Sequence, residues 1–152
     1  FTSSLPAEQA AGILVALEII KNEGYLRKNL WKNVFYMLSG LKETGLNFPL
    51  QWSQIIPVTI GDEAKTLQIE RYLLEKGIQC SGVTSPAVAP GESRLRISIN
   101  ATHTEKHVSD FLQILEEVSK KFDLPKVYWT DNDWRNFVES APPYIAEFLN
   151  NT

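Results

Sequence analysis

Two arginines one residue apart, Arg94 and Arg96, carry the clearest chemistry in this chain. They lie in a segment that alternates strictly. Leu95, Ile97 and Ile99 fall on one face of an extended strand, and Arg94, Arg96, Ser98 and Asn100 fall on the other. A strand with one buried face and two guanidinium groups opposite is a rigid platform for an anion, because arginine presents a planar fork matched to carboxylate or phosphate. The same pattern also describes solvated charges on the wet face of a half-exposed antiparallel sheet, so spacing alone leaves both readings open. A turn built on Pro86, Pro90 and Gly91 leads into the strand.

The other reactive residue types offer less. His103 and His107 stand four apart, but no cysteine or carboxylate set completes a metal site. His103 therefore reads as a helix-start residue and His107 as a surface one. Cys80 is the single cysteine, so an internal disulfide is excluded, and with no histidine partner it reads as a small core residue. A formal net charge of −3, with no basic cluster beyond Lys120 and Lys121, argues against nucleic acid as a partner. No apolar run is long enough for a membrane span and Phe1 does not open a signal peptide, so a soluble, cytoplasmic protein is expected.

The elements that must hold the arginine strand follow from periodicity. In 152 residues, 43% hydrophobic and 22% charged, there is room for one domain with a real core. Pro6 suits a first helical turn, and residues 7–23 place Ile13, Leu14, Leu17 and Ile20 on one side. Gly24 breaks or bends this helix, and a second runs from Leu26 through Leu30, Val34, Leu38 and Leu41 to a cap at Gly45. Residues 55–60 read as a strand, with Pro57 favouring an edge. Asp62 caps a helix over 63–76, with Ala64, Leu67, Arg71 and Leu74 expected to line its inner side. Residues 78–83 read as a second strand. After the arginine strand, Thr102 or Thr104 caps a helix carrying Val108, Phe111, Leu112, Leu115 and Val118. From Phe122 the composition shifts to prolines, acidic residues and aromatics, with Tyr128, Trp129, Trp134 and Phe137 too apolar to leave exposed.

The run from Pro86 to Thr104, Pro-x-x-x-Pro-Gly-x-x-Arg-Leu-Arg-Ile-x-x-x-Ala-x-His-Thr, resembles the C-terminal signature of the α-oxoamine synthases. These are pyridoxal-phosphate enzymes of the fold-type I aminotransferase superfamily, of the 8-amino-7-oxononanoate synthase and 2-amino-3-ketobutyrate CoA ligase kind. Phe1, Thr2, Ser3, Ser4, Leu5 and Pro6, then Glu8, Gln9, Ala10 and Ala11, resemble the same family, as do Ile56, Pro57, Val58, Gly61 and Asp62. The resemblance covers about residues 1–121. It implies an α+β fold, the small C-terminal domain of a PLP-dependent transferase, with helices packed on one face of a small, mainly antiparallel sheet. Residues 1–45 would be interdomain helices and 46–121 the small domain. Residues 122–152 would be an aromatic C-terminal extension docked on the domain or a partner.

The resemblance also assigns roles. Arg96 matches the arginine that pairs with the carboxylate of the amino-acid substrate, orienting it against a cofactor that acts as electron sink. Arg94 is expected to make a structural salt bridge. Ser3, with Thr2 beside it, matches a hydroxyl that reaches across the dimer interface to the cofactor phosphate, although these hydroxyls also suit a helix cap. None of the chain's lysines stands in the family's Schiff-base context, which lies upstream of Phe1, so the isolated chain is expected to be a domain fragment without activity. The longer parent is expected to be a homodimer that condenses an amino acid with an acyl-CoA, losing carbon dioxide and releasing CoA. Biotin-pathway members often carry an arginine just before the proline turn; Thr84 and Ser85 stand there, so the acyl donor stays open. Two alternatives are a non-catalytic interaction domain using the aromatic tail and another enzyme of this fold, such as an aminotransferase.

Overall fold

The arginine strand is the centre of a sheet, paired on both sides. The computed structural model describes residues 5–149. Their order is α1 (Ala7–Asn22), α2 (Gly24–Thr44), β1 (Ile55–Gly61), α3 (Glu63–Glu75), β2 (Ser81–Val83), β3 (Ser93–Ser98), α4 (Glu105–Lys121), α5 (Asp131–Glu139) and α6 (Pro143–Leu149). β3 lies between β1 and β2 and is antiparallel to both. Leu95, Ile97 and Ile99 are buried, together with Ile56, Val58 and Ile60 from β1. α2, α3 and α4 pack over that apolar face. Arg96 and Ser98 are exposed on the other. Pro57, which lacks an N–H, sits on an edge strand. There the Thr59 N–H donates outward to the Asn47 carbonyl at 2.8 Å.

The helix ends follow from local chemistry. The Asp62 carboxylate accepts from the Lys65 N–H at 2.6 Å, capping α3. The Thr104 hydroxyl accepts from the His107 N–H at 3.2 Å, while His107 Nδ1 accepts from the Thr104 N–H at 3.4 Å, a reciprocal cap on α4. Gly45 closes α2 at φ 68°, and a Cβ there would come within 2.7 Å of the Tyr128 ring, so conformation and space both select glycine. The break between the first two helices falls at Glu23 (φ −103°, ψ 60°). Gly24 is already the first residue of α2, because the Leu26 N–H bonds back to the Glu23 carbonyl.

Two elements differ from expectation. On α3 the inward residues are Thr66, Ile69 and Leu73, whereas Leu67 and Leu74 are 47% and 63% exposed and Ala64 and Arg71 also face out. Thr66 can occupy a fully buried position because its hydroxyl donates to the Asp62 carbonyl at 2.7 Å, which satisfies the one polar group that burial would penalise. The second strand spans only Ser81–Val83, since Ile78 to Cys80 make no ladder with β3.

α1 buries none of its residues, and Ile13, Leu14, Leu17 and Ile20 are each at least half exposed. The segment after α4 behaves differently. Phe137 stacks on Trp52 with ring centroids 4.5 Å apart, and the Trp52 indole N–H donates to the Phe137 carbonyl at 3.2 Å. Trp129 meets Phe48 edge-on at 6.2 Å, Ile145 is fully buried, and the Val127 N–H donates to the Gly45 carbonyl.

Candidate functional site

The open face of the sheet is the candidate site, and the register defines what surrounds its arginines. Pro57 and Ser81 lie directly opposite Arg96 on either side, and Thr59 and Val83 lie opposite Arg94. None of these neighbours carries a charge. The Arg96 guanidinium has no ion pair or hydrogen bond among the described residues and is exposed. Arg94 is different: its Nε donates to the Glu92 carbonyl at 2.9 Å and its guanidinium pairs with the Glu92 carboxylate at 3.1 Å. Of the two forks, Arg96 is the one free to bind, standing on a strand whose inward residues are 1–5% exposed.

The strand is held from beneath and at its end. Cys80 is 7% exposed, and its thiol donates to the Arg96 carbonyl at 3.6 Å. Burial, and secondarily the Glu70 carboxylate, pushes the Cys80 thiol up to about 12. At the far end Asn33, buried in α2, donates to the carbonyls of Asn100 at 3.1 Å and His103 at 2.7 Å. It pins the turn that joins β3 to α4. The sequence reading missed Asn33; its signal is an amide beside Val34 on the inward face of an amphipathic helix, where a polar residue persists only with partners. His103 belongs to the same turn, half-buried, and burial together with His107 lowers its basicity. His107 is exposed, and no metal-binding group of histidine, cysteine and carboxylate side chains occurs among the described residues. Ser3 and Thr2 lie outside the described residues.

Cys80 leads to a prediction. Its folded-state pKa lies above the ordinary thiol value of 9.0. The stabilisation from keeping it neutral is therefore complete below about pH 9 and is lost as pH rises toward 12. Iodoacetamide at pH 8 should label the folded chain far more slowly than the chain in denaturant. Urea midpoints measured between pH 8 and 10.5 should fall more steeply for the parent sequence than for Cys80→Ala. Equal labelling rates, or parallel pH profiles, would contradict a buried thiol.

The chain belongs to the aminotransferase class I and II family, whose model matches residues 1–115. Within it the chain resembles α-oxoamine synthases. It is 35% identical over 125 residues to the serine palmitoyltransferase of Bacteriovorax stolpii, a match covering 82% of this chain and 30% of that protein. It is 33% identical over 124 residues to the 8-amino-7-oxononanoate synthase of Symbiobacterium thermophilum, covering 82% and 32%. Among solved structures, one of SPT with a pyridoxal phosphate internal aldimine superposes with a TM-score of 0.76 at 25% identity, covering 82% of this chain and 32% of that one. The serine palmitoyltransferase of Sphingomonas wittichii gives 0.75 at 29% identity, with the same coverage. The chain thus spans about a third of the length of its relatives.

Pyridoxal phosphate is the cofactor this family membership indicates. None of the described lysines is buried. Lys32, Lys42, Lys76, Lys106 and Lys120 each face a carboxylate, Lys126 donates to the Thr44 carbonyl, and Lys121 stands over the Tyr72 ring. The arrangement here can grip a carboxylate on an open sheet face. Among the described residues no helix is long and apolar enough to cross a membrane.

Proposed function

We propose that this chain supplies the substrate-carboxylate arm of a pyridoxal-phosphate-dependent α-oxoamine synthase, an acyltransferase that condenses an amino acid with an acyl-CoA and releases carbon dioxide. The observation that carries this reading is the free guanidinium of Arg96 on a rigid strand in a member of this family. Arg96 takes both carboxylate oxygens through its fork and fixes how the bonds at the substrate α-carbon are directed. The lysine that holds the cofactor belongs to a longer protein, so the 152 residues alone are inactive. Ser3 and Thr2 contribute hydroxyls to the cofactor phosphate of a second subunit, making the active unit a cytoplasmic homodimer. Residues 1–45 act as interdomain helices, the exposed apolar side chains of α1 being covered by the rest of that protein. Residues 46–121 form the small domain, and 122–152 an extension docked upon it.

Similarity to both serine palmitoyltransferase and 8-amino-7-oxononanoate synthase supports the acyltransferase reading over an aminotransferase, while leaving a biotin-pathway role one member of the class. A non-catalytic interaction module would use the aromatic surface of the tail, and two of its rings, Phe137 and Trp129, pack inside the domain, while Tyr128 and Tyr144 stay exposed. The test is a visible absorption spectrum of the full-length protein, titrated in turn with glycine, alanine and serine. A cofactor band that shifts with one of them supports the reading and names the amino substrate. No band after added pyridoxal phosphate would overturn it.

A further inference from the structure

The segment after α4 retraces α2 in reverse. The Val127 N–H donates to the Gly45 carbonyl at 2.8 Å, and Lys126 Nζ donates to the carbonyl of Thr44, the last residue of the helix. Farther along, Lys42 pairs with Asp131 at 3.1 Å and stands over the Trp134 ring at 5.5 Å. Trp134 then meets Phe35 at 6.2 Å, and Tyr144 meets Trp31 at 6.0 Å. From Gly45 back to Trp31 the tail follows roughly 20 Å of helix. It lies beyond residue 115, where the family model ends.

The same tail is tied to the sheet by a second route. Phe137 stacks on Trp52 and Trp129 meets Phe48, and both partners belong to residues 46–54. Those residues are bonded to the sheet at two points, since the Asn47 carbonyl accepts from Thr59 of β1 and the Gln54 carbonyl accepts from Ile99 at the end of β3. One segment thus grips α2 and the arginine sheet together. Its grip matters where α2 is otherwise least held: no residue from 24 to 32 is fully buried, and the helix enters the core only at Asn33. There α6 supplies Tyr144 against Trp31, beside the fully buried Ile145. Arg27 donates across the break at Glu23 to the Ile20 carbonyl, so the first turns of α2 also aim α1.

We propose that residues 122–149 are a splint that holds α1, α2 and the arginine strand as one rigid body. Resting on the carboxylate-arm reading, the splint fixes how far Arg96 reaches from the interdomain helices, although none of these tail contacts involves Arg96 itself. The test is amide hydrogen exchange on the 152-residue chain and on a form ending at Ser140, which keeps α5 with Phe137 and loses α6. Exchange in residues 25–32 should rise roughly tenfold or more in the shortened form, while β3 and residues 108–118 keep their protection. Unchanged protection of 25–32 would overturn the splint. So would an equal loss across β3 and α4, which would make the tail ordinary core. Should the shortened form fail to fold, Ile145→Ala in the whole chain loosens α6 without removing it and is read in the same way. In the full-length protein, ending the chain at Ser140 should weaken amino-acid binding severalfold and leave the cofactor band as it was. Loosening of residues 25–32 without that weakening would overturn the coupling to Arg96, whereas the role of Arg96 itself stands or falls with Arg96→Ala.

Discussion

Arg96→Ala in the full-length protein should weaken amino-acid binding roughly 10- to 100-fold while the cofactor band without amino acid stays as it was. The size follows from what is removed. Hydrogen bonds to a charged group contribute about 1.5–3 kcal/mol, and each 1.4 kcal/mol is tenfold in affinity. Among the described residues Arg96 has no partner to strand, so the cost falls on the ligand. Stability should stay within about 0.5 kcal/mol of wild type, as for surface changes generally. Arg96→Lys should recover part of the affinity, because an ammonium keeps the charge but loses the fork. Arg94→Ala should do less to binding, since its guanidinium is engaged by Glu92. Unchanged amino-acid affinity in a folded, cofactor-loaded Arg96→Ala protein would remove Arg96 from the site.

The outward placement of Arg96 could be read from sequence because β3 obeys a period of two without exception, and one inward face fixes the other. α3 was less legible for a physical reason. Thr66 is polar by type, yet its hydroxyl is satisfied one turn back at Asp62, so it buries like an aliphatic residue and rotates the inward face toward Ile69 and Leu73. Asn33 hides in the same way: what makes it structural is a pair of carbonyls 67 and 70 residues away. β2 is only three residues long although residues 78–83 read as one strand, because Ile78 to Cys80 make no ladder with β3. Local pattern reaches what repeats along an element. It does not reach partners set by tertiary distance.

The largest stability effect should come from such a distant pair. Phe137→Ala is expected to cost about 3–5 kcal/mol in urea unfolding of the chain, because it empties a site that is 5% exposed. The site cannot collapse easily. Trp52 stacks on Phe137 at 4.5 Å and in turn lies over Phe35 at 6.2 Å, while Trp134 closes the other side at 5.4 Å. Losing one ring leaves two others, Trp52 and Trp134, without a face to pack on, and a domain's total stability of about 5–15 kcal/mol makes this a large share. Phe137→Leu should lose less, since it keeps most of the apolar volume. Deletion of the residues after Lys121 should be at least as costly as Phe137→Ala, because it also removes the fully buried Ile145 and uncovers Phe48 and Trp52. Tyr128→Ala, at a residue 68% exposed, is the control and should change little. If Phe137→Ala unfolded within about 0.5 kcal/mol of wild type, the tail would not be part of this domain's core, and α2 and residues 46–54 would have to be stabilised by something else.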